Sequence, residues 1–122
     1  MVTPIHPTKG GDQMPSVYVP SKSSHDYSNA QQWGDLVFMS EGPINRFNTN
    51  HMCRMFWHHL KHSNSEDFVL QTGLRVMSDL ACALFSHLHG GLNILIYDET
   101  SNSYRPRRMV FPKSDKQKGE TR

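Results

Sequence analysis

No apolar run in this chain approaches the ~18 residues that a membrane-spanning helix needs, and no basic N-terminal segment leads into an apolar stretch. The sequence therefore offers neither a membrane span nor a secretory signal, and a cytoplasmic protein is expected. Cysteine is scarce: Cys53 and Cys82 are the only two in 122 residues. Both fall among apolar residues of predicted helices, where cysteine behaves as a small buried hydrophobe, and a disulfide is not expected. Net charge is also small, formally +2, so overall charge argues neither for nor against nucleic acid. Eight histidines make that charge sensitive to mild acid, because free imidazole titrates near pH ~6.5. Neither G-x-G-x-x-G nor G-x-x-x-x-G-K-[ST] occurs, which leaves a dinucleotide or P-loop site unsupported, and no cofactor is expected. Internal repeats are absent.

What is present is one folding unit's worth of sequence. Residues 1–15 carry Pro4, Pro7, Gly10, Gly11 and Pro15 with little apolar content, and they read as a loose tail. Residues 112–122 are mostly Lys, Ser, Asp, Gln and Gly and read as a second, basic tail. A single domain is expected over residues 16–111.

Within it, Val17, Tyr18 and Val19 suit a short strand ended by Pro20. Ser28 and Gln31 have the spacing of a capping box before a short helix at residues 29–33, which Gly34 would end. Asp35 to Met39 is a continuous apolar run stopped by Ser40-Glu41-Gly42-Pro43, the pattern of a strand buried on both faces. Phe47, Asn48 and Met52 stand where a hydrophobic staple surrounds an Asn cap, predicting a helix from Thr49 to about His62. Its apolar stripe is Met52, Met55, Phe56 and Leu60, flanked by Cys53 and Trp57. Phe68 to Leu70 form another strand. A second helix follows from Leu74 to Leu88, with Leu74, Met77, Ala81, Leu84 and Leu88 repeating at three and four residues and Gly90-Gly91 as the stop. Residues 92–97 and 104–111 read as a hairpin. Pro106, lacking an N–H, sends the last strand to the sheet edge, where Arg105, Arg107 and Arg108 guard against association. The sum is an α/β fold, a small Rossmann-like β-α-β-α-β-β sandwich with a parallel core and a C-terminal antiparallel edge hairpin.

In a parallel sheet, the strand carboxyl ends face the unpaired N–H groups that open the following helices, which favours an anion there. The candidate ligand residues are accordingly Glu41, Gly42, Asn45, Thr72, Gly73 and Arg75. Gly73 would let a ligand approach the backbone, and Thr72 would cap the helix or bond a phosphate oxygen. Glu41 is a candidate base at the mouth. His25-Asp26 resembles half of a catalytic dyad, although neighbours in sequence point apart, and Asp26 suits a local turn bond equally well. His58 and His62 share a helix face at i, i+4 as zinc ligands can, but no carboxylate or cysteine completes a set locally, and no metal is expected.

A second surface is basic. Arg105, Arg107 and Arg108, continued by Lys113, Lys116 and Lys118, could contact phosphates while Tyr104 stacks on a base, or could receive a protein that adds a strand. A solvated edge kept soluble by charge explains the same residues.

The segment Thr72-Gly73-Leu74-Arg75-Val76-Met77-Ser78 resembles the ligand loop of CRISPR-associated Rossmann-fold sensor domains, which implies binding of cyclic oligoadenylates. This chain lacks the second glycine and the threonine that precede the Met-Ser pair in that family. From His25 to Phe111 the arrangement looks like that of short Rossmann-like proteins carried by phages and bacteria.

Two functions are thus expected in competition. One is a binding module for a small anionic ligand, such as a nucleotide, at the Gly42/Thr72-Gly73 crevice. The other is a phage-type interaction protein that docks on a host protein or nucleic acid through the basic edge and tail. A free sheet edge and Met-rich helices also suit a homodimer.

Overall fold

A computed structural model describes residues 14–112. The expected tails therefore lie mainly outside the described residues. In chain order the elements are β1 (Ser16–Val19), a 3-10 helix (Ser28–Trp33), β2 (Asp35–Phe38), α1 (Thr49–Leu60), β3 (Phe68–Leu70), α2 (Arg75–His89), β4 (Gly91–Asp98) and β5 (Ser103–Val110). They form one five-stranded sheet in the order β2-β1-β3-β4-β5. The β1/β2, β1/β3 and β3/β4 pairs are parallel, and β4/β5 is antiparallel.

The α/β class is as the sequence implies, but the expected β-α-β-α-β-β order omits one strand of the sheet, and the run expected to be buried on both faces lies at an edge. Asp35–Phe38 is an edge strand, exposed at Asp35 and only half-buried beyond it. The short Val17-Tyr18-Val19 run is central, at 0–5 % exposure. An unbroken apolar run reads alike whether neighbouring strands or flanking helices cover it, so its position in the sheet is not written in its own residues.

Side-chain alternation splits the core in two. Tyr18, Val37 and Val69 face α1 and α2, where Met52, Phe56 and Leu60 meet Met77, Ala81 and Phe85. Val17, Val19, Phe68, Leu70 and Leu95 face the other way, against Tyr27, Ala30 and Trp33 around the 3-10 helix. Connections that run in opposite directions across a sheet must lie on opposite faces if both are right-handed, which puts the 3-10 helix alone on its side.

The helix ends also depart from expectation. Asn48 does cap α1, its side chain accepting from His51 N at 3.3 Å. No staple closes over it, because Phe47 is 81 % exposed while Met52 is fully buried. Ser28 forms no capping box: Asp26 Oδ1 accepts the Ser28 N–H at 2.9 Å, the local turn bond foreseen for Asp26. Leu74 precedes α2 instead of opening it. Gly90 ends α2 in the left-handed region at φ 72°, donating its N–H to Ser86 O at 2.8 Å.

At the amino end of the sheet, Asp67 has no exposure. Its carboxylate accepts from Ser16 N at 2.9 Å and Asn64 N at 2.7 Å. The amide of Asn93, on β4, donates to Ser65 O at 2.6 Å and Asp67 O at 2.8 Å. Burial, then the nearby Asp67 charge, raise the pKa of Tyr18. Cys53 and Cys82 are free and half-buried. Burial, with a smaller contribution from Asp79, pushes the Cys82 thiol up to about 11.

Two measurements follow. Asp67→Ala strands two backbone N–H groups away from water and is expected to cost about 2–4 kcal/mol in chemical denaturation; a loss under about 1 kcal/mol would show that the carboxylate is not an anchor. At pH 8 Cys82 is expected to react with iodoacetamide at least about ten-fold slower than free cysteine, because so little of it is thiolate, as peptide mass mapping would reveal.

Candidate functional site

The carboxyl ends of β1, β3 and β4 share one end of the sheet, and connections leave β1 and β3 toward opposite faces. Such a switch point is where open α/β sheets commonly bind ligands. The residues singled out from sequence lie around it, on the turns after two strands that are not neighbours in the sheet. Gly42 follows β2 and Thr72-Gly73 follow β3, and β1 runs between those two strands. The loop after β1 fills the interval. Lys22 N donates to Ser40 O at 2.8 Å, Ser40 Oγ donates to Pro20 O at 2.7 Å, and Lys22 bridges to Glu41. A Cβ placed on Gly73 would meet Ser21 Cβ at 3.5 Å.

Local bonds occupy several of the groups meant for an anion. Ser78 Oγ accepts from Thr72 N at 3.3 Å and donates to Thr72 O at 3.0 Å. The α2 cap is Leu74, with no side-chain bond, and not Thr72. Asn45 Oδ1 accepts from Phe47 N at 2.9 Å, closing a turn. Glu41, Gly42 and Arg75 are exposed. Glycine is required at 42 and 73 by their φ values of 83° and 82°, whatever else happens there.

Sequence reasoning missed a cluster of rings over the same end. The Tyr27 hydroxyl lies 2.8 Å from Ser23 Oγ, donates to Ser21 O at 3.3 Å, and stands 3.5 Å from Thr72 Oγ1. His25 meets Tyr27 edge-on at 5.0 Å and Tyr97 at 6.1 Å, with its Nε2 3.3 Å from the Tyr104 hydroxyl. A His25–Asp26 dyad does not form, since the Asp26 carboxylate turns to Ser28 and is held below the usual carboxylate range chiefly by that bond. Tyr104 is 4 % exposed, so its ring cannot stack on a base as expected. Burial, then Tyr27, Tyr97 and Asp26, push its hydroxyl pKa up. No spacing rule links positions 25, 27, 97 and 104, and only their strand-end locations could have hinted at the grouping.

The basic edge is likewise divided. Along β5, Arg105, Arg107 and Met109 point to the helix-bearing face and Tyr104, Pro106 and Arg108 to the other, because alternate residues of a strand oppose each other. Arg105 Nε pairs with Asp98 Oδ2 at 2.7 Å, which with the Thr100 N–H holds that carboxyl below its ordinary range. Arg107 donates to Pro106 O at 2.7 Å. Arg108 lies over the Phe68 ring at 5.5 Å. An open hollow of about 500 Å³ is lined by Ile96, Asp98, Glu99, Arg105 and Arg107 among others. Lys113, Lys116 and Lys118 lie outside the described residues. Residues 14–112 carry as many Asp and Glu as Lys and Arg, and Lys9 offsets Asp12. The chain's formal +2 thus comes from Lys113, Lys116, Lys118 and Arg122 against Asp115 and Glu120.

A Ser-His contact at the opposite end of the sheet has the wrong polarity for catalysis. Ser63 Oγ donates to Leu60 O at 2.6 Å, and with its one hydrogen so placed it accepts from His89 Nε2, 2.8 Å away, instead of giving up a proton to it. Among the described residues no three His, Cys, Asp or Glu side chains are grouped to hold a metal ion, and no helix is long and apolar enough to cross a membrane.

Tyr27→Phe removes the hydroxyl that joins the loop after β1 to Thr72. The expected result is a loss of about 0.5–1.5 kcal/mol, with amide exchange accelerated across residues 20–27 and little changed elsewhere; unaltered exchange there would show the loop to be held by other contacts.

Comparison with known proteins gives one finding. A family model described as phage Pam3 gp32-like protein matches residues 15–110. No curated protein and no solved structure matches significantly. None of these comparisons connects the Thr72–Ser78 segment with CRISPR-associated sensors.

Proposed function

The chain belongs to the phage Pam3 gp32-like family, and from this premise we propose that it acts as a small interaction protein that docks on a host protein through the helix-side face of its β4–β5 hairpin. The observation that carries the reading is the stretch of sheet that α2 leaves uncovered. There Ile96, opposite Arg105, remains 39 % exposed, and Met109, two residues beyond Arg107 on the same side of β5, remains 38 % exposed. Adjacent apolar and guanidinium groups of this kind suit a protein interface, whose centre is apolar and whose strongest contacts often use Arg.

Charge favours a protein over nucleic acid at this face. Asp98 and Glu99 balance Arg105 and Arg107 around the hollow, and Arg108 points to the opposite face, so no one-sided cationic stripe is available for phosphates. Docking by strand addition is disfavoured too. The carbonyl of Met109 lies toward β4, against Gly91, so the outward backbone groups of β5 belong to Tyr104, Pro106, Arg108 and Val110. Pro106 has no N–H to offer, and Arg107 occupies its carbonyl. A partner, or a second copy of this chain, would find the middle of the edge closed, leaving the face as the usable surface.

The rival reading, a nucleotide or other anion held by Glu41, Gly42, Asn45, Thr72, Gly73 and Arg75, gains no comparable support. The Thr72 N–H is engaged by Ser78, and Ser21 stands against Gly73.

Affinity capture from host lysate with the full chain, followed by titration of the purified captured protein, tests the proposal. Ile96→Glu and Arg107→Glu are expected to weaken binding at least ten-fold, while Arg108→Glu on the other face leaves it within about two-fold. Equal retention by all three variants would remove the face from consideration. A dimer of this chain dissolved by Ile96→Glu would make the occupant a second copy and refute the host-protein reading.

A further inference from the structure

Apart from the hairpin, one surface among the described residues is built from a stretch of chain without carboxylates. From Gly42 through Ser65 the sequence contains no Asp or Glu, whereas it contains Arg46, Arg54, Lys61 and four histidines. Glu41 and Glu66 bound the stretch on either side. Because the described body as a whole is formally neutral, this region is polarised against the remainder.

Helix geometry gathers these groups. At about 100° per residue, Asn50, Arg54, Trp57, His58 and Lys61 fall on the side of α1 opposite Met52, Phe56 and Leu60, which are buried. All five of the outer residues are exposed. Phe47, one turn before the helix, is 81 % exposed, and Trp57 is 37 % exposed. The Arg46 guanidinium stands over the Phe47 ring, 5.3 Å from its centroid. The segment thus interleaves cations with two solvent-facing rings about 12–15 Å apart along the helix axis.

An ordinary solvated helix face mixes both signs, and helix stability favours acidic residues near the amino end. α1 has none in its first turn. Its histidines crowd as well: the His58 and His59 rings are 5.5 Å apart. Folding alone gives no reason to exclude carboxylates here or to leave a phenylalanine in water, whereas a polyanion with accessible bases would use both features. Cations track a phosphate backbone, and exposed rings stack on unpaired bases.

We infer that the outer face of α1, with the Arg46-Phe47 pair that leads into it, binds single-stranded nucleic acid, Arg54 and Lys61 contacting phosphates and Phe47 and Trp57 stacking on bases. This surface is distinct from the hairpin face, and its test does not depend on the host-protein reading.

The experiment is fluorescence anisotropy of a labelled oligothymidylate of about twenty nucleotides with the full chain, repeated over a range of salt and against a duplex of equal length. The wild-type chain is expected to bind the single strand, more weakly as salt rises. Arg54→Glu with Lys61→Glu should weaken binding at least ten-fold and flatten the salt dependence. Phe47→Ala with Trp57→Ala should weaken it by roughly ten-fold without flattening that dependence, and Phe47→Tyr with Trp57→Phe should restore it. Far-UV circular dichroism checks that every variant is folded. The inference is overturned by an absence of binding at low salt, by charge reversal at 54 and 61 without effect, by loss confined to a variant with Lys113, Lys116 and Lys118 changed to Ser, or by duplex binding as tight as single-strand binding and indifferent to Phe47 and Trp57.

Discussion

A carboxylate without access to water, that of Asp67, ties together the start of the central strand and the turn that precedes the next one. It accepts two backbone N–H groups, Ser16 and Asn64, while Asn93 reaches from β4 to the carbonyls of Ser65 and Asp67. Three strands are thereby fixed to one turn. Charge-assisted bonds of this kind are stronger than neutral ones and offset the cost of removing a carboxylate from water only when its oxygens are well satisfied. With β1 only four residues long and β3 only three, ladder bonds alone leave their register weakly defined, and the buried network supplies the missing constraint.

That anchoring at the amino end leaves the carboxyl end to loops. There the chain fills its own switch point. Tyr27 and Ser21 meet Thr72 and Gly73, and His25 rests among Tyr27, Tyr97 and Tyr104. Asn29 joins the 3-10 helix to the hairpin through Asn102 O at 2.8 Å. Uncovered surface lies instead on the end of β4 and β5 beyond α2 and on the outer side of α1. The two surfaces differ in kind. The hairpin face is apolar and charge-balanced, whereas the helix face is aromatic and lacks carboxylates.

Much of the architecture was legible from residues alone. The staggered apolar positions of α1 and α2, the Asn48 cap, the glycine stop at Gly90 and the edge position of the Pro106 strand are local properties, set by sterics, period and missing donors within a few residues. Less was legible of the site. Thr72-Gly73 has the composition of a ligand turn, yet a serine six residues later takes its backbone groups. Arg105, Arg107 and Arg108 look like one basic patch until strand alternation sends Arg108 to the other face and Asp98 neutralises Arg105. Phe47 fits a staple by spacing, but Met52 is drawn into the core beyond its reach.

The sequence by itself determined the α/β class, the helices and the hairpin, because periodicity and capping act over a few residues and need no distant partner. Only the tertiary structure decided that Val17-Tyr18-Val19 is the central strand, that its loop is tied to the turn after β2 and to Thr72, and that Phe47 and Trp57 are left exposed before and on α1. Those outcomes depend on pairing between segments far apart in the chain and on which surfaces are left over after the core has formed, and neither is encoded in any single window of residues.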